Sequence, residues 1–137
     1  MDAALLDTDI LSEILKAKNQ RVLACARTYL LEHSHFAFSA ITFYEVTRGF
    51  RATQAERQLA HFAKLAAGCE TVPISTTILD RAATLWAEAN IGGHPRDDAD
   101  LIIASTALET SRVLVTGNTT HFAWIPGLSL EDWRKMS

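Results

Sequence analysis

Four positions carry the chemistry that this sequence offers: Asp7, Glu45, Asp100 and Asn118, with Asp9 beside the first. Asp7 and Asp9 stand in "AALLDTDILSEIL", where an apolar run ends in a carboxylate, a hydroxyl and a second carboxylate. Thr116, Gly117 and Asn118 end another apolar run at Val115, while Glu45 and Asp100 lie in the opening turns of helical stretches. Carboxylates gathered at one place repel one another, and a hard divalent cation with oxygen ligands relieves the repulsion. Magnesium suits such a site, because one or two carboxylates hold it while it keeps several waters. At a phosphodiester, such an ion would help to generate hydroxide from water and offset charge on the phosphate oxygens.

Each residue also has a structural role open to it. Asp7 or Thr8 is placed to cap a helix, an interaction worth about 1 kcal/mol. Glu45 follows Thr42 at the spacing of a capping box. Asp97, Asp98 and Asp100 are acids of the kind that complement a helix dipole in the first turn. Taken singly, only Asp7 favours chemistry, since a carboxylate directly after a buried strand sits where open α/β sheets bind ligands. The functional case rests on the coincidence of all these groups along one edge.

The elements that must position them alternate. Short apolar strands are expected at Ala3–Leu6, Phe36–Ser39, Thr71–Ile74 and Val113–Val115. Helical spacing runs from about Thr8 to Lys16, Arg21 to Glu32, Ile41 to Phe50 and Thr53 to Ala67, with Gly68 as a stop. Ser75 caps a further helix reaching about Asn90, and "IGGHPRD" is a loop. Asp98–Thr110 is apolar around most of its circumference and is expected to be largely buried. The tail "HFAWIPGLSLEDW" adds a turn and a last short strand. Strands separated by helices imply crossover connections, hence an α/β fold with a parallel sheet covered on both faces.

Bulk properties narrow the function. The 137 residues fit one domain, and a formal net charge of −3 argues against a partner held by a broadly basic surface. A bound cation would still permit a nucleic-acid substrate at one site. Cys25 and Cys69 lack metal or redox spacing, and Cys25 reads as a small buried hydrophobe. No apolar run is long enough to span a membrane, so a cytoplasmic location is expected. His33 and His35 lie in a loop-like segment, and His94 and His121 read as surface loop residues near the edge. Trp86, Trp124 and Trp133 read as packing, and Arg48, Arg51, Arg96 and Arg112 either rim the site or keep the surface soluble.

Five segments in order, "LLDTDIL", "SAITFYEVTRG", "DLIIASTAL", "LVTGNTTHF" and "IPGLSLEDW", resemble a PIN-domain ribonuclease, more narrowly the VapC toxins of type II toxin–antitoxin systems. The resemblance covers about Leu5 to Trp133. It implies a PIN-like three-layer sandwich, with a short central parallel sheet flanked by helices, as a single domain over residues 1–137. It places the family's catalytic positions on Asp7, Glu45, Asp100 and Asn118, and its metal-binding carboxylates on Asp7 and Asp100. It further implies an Mg2+- or Mn2+-dependent endoribonuclease that forms a homodimer and is neutralised by a VapB-type antitoxin. Transfer RNA is the first substrate it points to. Asn118 departs from the acid common at its position and brings no charge, so a second ion is less well supported, and Asp9 partly replaces that charge.

Two alternatives start from the same residues. Strand-D-x-D also resembles the haloacid dehalogenase phosphatases, in which Asp7 would be the nucleophile and Asp9 the general acid. No lysine stands at a strand end to balance a phospho-aspartate there. The other alternative is a degenerate PIN domain that only binds its partner.

Overall fold

The computed structural model describes residues 1–136. Five short strands alternate with seven helices: β1 (Ala4–Leu6), α1 (Thr8–Lys16), α2 (Gln20–His33), β2 (Ala37–Ser39), α3 (Ala40–Ala52), α4 (Glu56–Ala67), β3 (Glu70–Val72), α5 (Thr76–Ile91), α6 (Asp98–Glu109), β4 (Val113–Val115), α7 (Thr119–Phe122) and β5 (Leu130–Glu131). All strand pairs are parallel, as the crossovers demand. The ladder is divided, with β1-β4-β5 in one sheet and β2-β3 in another, and β1 packs beside β2. In β1, alternate N–H groups turn away from β4, and the buried Tyr29 hydroxyl accepts from Ala4 N at 3.0 Å.

Alternation along the strands separates two cores. Ala4, Leu6, Phe36, Phe38 and Val115 face one side, against Ile10, Leu11, Val22 and Tyr29 of α1 and α2 and Phe62 of α4. Leu5, Ala37 and Leu114 face the other, against Leu85 of α5 and Leu101, Ile103 and Ala104 of α6. Helices therefore cover both faces, and Leu5, Leu6, Phe38, Leu114 and Val115 are wholly buried.

Local chemistry sets the boundaries. Asp7, Asn19, Ser39 and Ser75 each cap the helix that follows by accepting a backbone N–H. α4 starts at Glu56 rather than Thr53, because Gln54 adopts a left-handed conformation (φ 56°) and interrupts the helix. β3 ends at Val72 rather than Ile74, since Pro73 has no N–H to give a ladder. α7 was not expected from the sequence. α6 begins at Asp98 and buries Leu101 and Ile103 to Ala107, as its apolar circumference requires. Trp133 is wholly buried, whereas Trp86 is 48% exposed on α5 and so packs less than expected. Cys25 is buried and free, and Cys69 is free. No described helix is long and apolar enough to cross a membrane.

Candidate active site at the carboxyl edge of the sheet

The strand register makes the site. Leu6 pairs with Val115, and Val115 with Glu131, so the next residues Asp7, Thr116 and Asp132 form a row across three strand ends. Two further backbone bonds continue the ladder into that row: Asp7 N donates to Val115 O at 2.8 Å, and Thr116 N to Glu131 O at 2.9 Å. All three residues are buried.

Asp7 is held at both oxygens. Oδ1 accepts from Thr8 N at 2.8 Å, the capping bond of α1, and Oδ2 accepts from the Thr116 hydroxyl at 2.8 Å. Burial is the largest influence on its carboxyl, which is pushed up to about 7; the Asp9 charge adds to this and Asp100 contributes further. The Thr116 and Thr8 hydrogen bonds oppose the rise without cancelling it.

Thr8 does more than start a helix. Its hydroxyl donates to Glu45 Oε1 at 2.8 Å and lies 3.2 Å from the buried Thr42 hydroxyl. A hydroxyl carries one proton, so donation to the carboxylate leaves Thr42 to donate to Thr8. Thr42 and Glu45 are therefore not a capping box: Ser39 caps α3, and Glu45 is turned toward Asp7's neighbour. For the ribonuclease activity that the sequence resemblance implies, Thr8→Val, which keeps shape and removes the hydroxyl, is expected to slow RNA cleavage about tenfold. The basis is that a hydrogen bond to a charged group is worth about 1.5–3 kcal/mol. Single-turnover rates at saturating cation measure this.

Asp100, in the first turn of α6, meets His121 Nε2 through Oδ2 at 2.8 Å. His121 was expected as a loop residue; α7 instead carries it to an acid of the site. Asn118 is exposed, and its backbone N donates to the Thr116 hydroxyl at 3.1 Å. Its part in the structure thus runs through the peptide. Asp97 and Asp98 are exposed, Asp97 at the cap position of α6 without a side-chain capping bond.

Asp9 turns away from a pairing with Asp7. Its Oδ2 accepts from Gly117 N at 2.9 Å, and its Oδ1 is buried without a hydrogen-bond partner. Burial raises its pKa first, opposed by the Gly117 N–H and by the Arg134 charge.

Of the arginines, Arg48 lies 4.0 Å from Glu45 and over the Tyr44 ring, and Arg96 lies over Trp124. Arg112 donates to Glu70 at 2.8 Å; both residues sit at the amino ends of their strands, opposite the site. Sequence reasoning missed Asp132 and Arg134. Asp132 directly follows β5 and answers to the same strand-end rule that found Asp7. Among the described residues, no group of three or more His, Cys, Asp or Glu is arranged to hold a metal ion.

Residues 4–126 match the PIN domain. The chain belongs to the PIN-domain family. It is 29% identical over 130 residues to the tRNA(fMet)-specific endonuclease VapC of Salmonella typhimurium, across 94% of this chain and 96% of that protein. It is 28% identical over 132 residues to ribonuclease VapC1 of Haemophilus influenzae, across 96% of this chain and 98% of that one. The DNA-bound VapBC structure from Salmonella typhimurium superposes with a TM-score of 0.84 at 28% identity, covering 97% of this chain and 99% of that one. This PIN-domain protein is thus homologous to VapC-family toxins of type II toxin–antitoxin systems. The match sets it apart from the haloacid dehalogenase phosphatases.

Proposed function

We propose that residues 1–137 form a single PIN domain acting as a metal-dependent endoribonuclease, the toxin of a VapBC pair. The observation that carries this is the buried Asp7, whose carboxyl is pushed up to about 7 at the end of β1. A buried carboxylate with Asp9 and Asp100 adding to its burden calls for a positive charge, which makes it a candidate functional group. VapC homology supplies the class of reaction.

The donor set fits Mg2+ or Mn2+. Each carboxylate oxygen has two lone pairs, so Asp7 keeps acceptor capacity beyond its bonds to Thr8 and Thr116, and Asp100 keeps Oδ1. Asp7 and Asp100 would hold the ion, with waters completing the shell. When bound, the ion supplies charge to offset the phosphate and lowers the pKa of a water. Glu45, fixed by Thr8 at Oε1, presents Oε2 to accept a proton from a water at the phosphodiester. Arg48 and Arg96 carry positive charge for the flanking phosphates, and Asn118 presents an exposed amide to the substrate.

Transfer RNA is the proposed substrate, on the strength of the Salmonella typhimurium relative. A homodimer neutralised by a VapB-type antitoxin in the cytoplasm is proposed on the same homology. Purified, antitoxin-free protein is expected to cleave RNA with Mg2+ or Mn2+, and Asp100→Asn to lower the rate at least a hundredfold. Sequencing of the RNA ends from both proteins checks this. If the two are equally inert or equally active on transfer, ribosomal and messenger RNA, the enzyme assignment is wrong and binding alone remains.

A further inference from the structure

The C-terminal segment reaches back into the site through one side chain. Asp132, buried at the end of β5, accepts from Arg134 N at 2.9 Å, and the guanidinium lies against both its oxygens, Nε–Oδ1 and Nη2–Oδ2 each at 3.3 Å. This forked pairing fixes the guanidinium plane, which a lysine ammonium cannot reproduce. From there Arg134 Nη2 donates to Gly117 O. Gly117 belongs to the three-residue link between β4 and α7 that serves both buried acids. Thr116 donates to Asp7, and Gly117 N to Asp9. The space is committed as well, since a Cβ on Gly117 would overlap the Arg134 guanidinium.

Building on the metal-dependent assignment above, we propose that Arg134 is a positioning residue for the cation site: by gripping the Gly117 carbonyl it fixes the 116–118 link, and with it the Asp7 and Asp9 carboxylates. Arg134 touches neither Asp7 nor Asp100. It acts through Gly117, and its fixed positive charge lies near Asp9 without neutralising Asp7.

The test measures Mn2+ binding to the full, antitoxin-free chain by the loss of the free-ion paramagnetic resonance signal. Arg134→Gln is expected to weaken Mn2+ binding about tenfold while RNA binding measured in chelator stays unchanged, and Arg134→Lys to recover part of the loss. A residue serving only stability would lower the melting temperature and leave the Mn2+ constant of the folded molecules where it was. Gly117→Ala provides a second variant. It is expected to weaken Mn2+ binding alone, by displacing the guanidinium, yet to add little in an Arg134→Ala background. Wild-type Mn2+ affinity in Arg134→Gln, or additive losses in the double variant, would overturn the proposal. If the wild type takes up no Mn2+ and cuts no RNA, the metal-dependent assignment itself falls, and this role of Arg134 with it.

Discussion

Exchanging Asp7 for Asn is expected to end RNA cleavage and, in chelator above pH 7, to raise the melting temperature. Asn remains a good cap, so Thr8 N keeps its acceptor. Thr116 can rotate its hydroxyl to accept from the new amide, having a second lone pair beside the one that Asn118 N uses. What disappears is a buried negative charge. The sign follows from linkage: the Asp7 carboxyl titrates near 3.8 in the unfolded chain and at about 7 in the folded one. Its stability contribution is therefore fully present below about pH 4 and is lost as pH rises through 7. Each pKa unit corresponds to about 1.4 kcal/mol, and 1 kcal/mol moves the melting temperature of a domain of this length by roughly 3–4 °C. The two proteins should melt together near pH 4 and differ by roughly 10 °C or more at pH 8, Asn being higher. Added Mg2+ or Mn2+ should raise the wild type at pH 8 and leave Asp7→Asn unmoved. Thermal melts across pH, with and without cation, decide the matter: a wild type that gains stability from pH 4 to 8 relative to Asp7→Asn contradicts the buried-charge account.

Trp133→Ala is expected to produce the largest loss of stability. The indole is wholly buried, 5.7 Å from the Tyr29 ring and 6.4 Å from Phe36, with its backbone carbonyl 3.9 Å from Cys25 Sγ. Truncating a buried Trp costs about 3–5 kcal/mol, against a total of about 5–15 kcal/mol for a domain. Trp133→Phe should retain most of the stability, because it keeps a ring in the cluster and removes an indole N–H that has no hydrogen-bond partner. Denaturant melts that rank Phe well above Ala support this; equal losses would mean that the indole's outer ring alone does the packing. Since Trp133 lies between Asp132 and Arg134, the Ala variant should also weaken Mn2+ binding in the molecules that stay folded.

The sequence made some features readable and left others hidden, for physical reasons. Strands buried on both faces read as apolar runs, which located β1, β2 and β4 closely. Ser75 announced its helix because capping is a local interaction. β5 is only two residues long, too short for any periodicity, so the acid that follows it went unnoticed. Gln54 broke α4 through a left-handed conformation to which no Gly or Asn called attention. In the site, Asp7 was legible from one strand end. Thr8's bond to Glu45 and the His121–Asp100 pair span 37 and 21 residues, and such contacts belong to the fold rather than to any window of sequence. The bond from Ala4 N to the Tyr29 hydroxyl spans 25 residues and is equally beyond any such window.

The row of Asp7, Thr116 and Asp132 depends on three strands being in phase, and two of them have only three residues each. Side chains alternate with a period of two, so adding or deleting one residue in β1 or β4 would turn Asp7 or Thr116 toward the opposite layer. Substitutions at these strand ends leave the geometry of the row in place, whereas a single-codon insertion removes it outright. Residues along the row can therefore be exchanged without moving it, whereas a change of length is expected to be tolerated only outside the ladder, in segments such as "IGGHPRD".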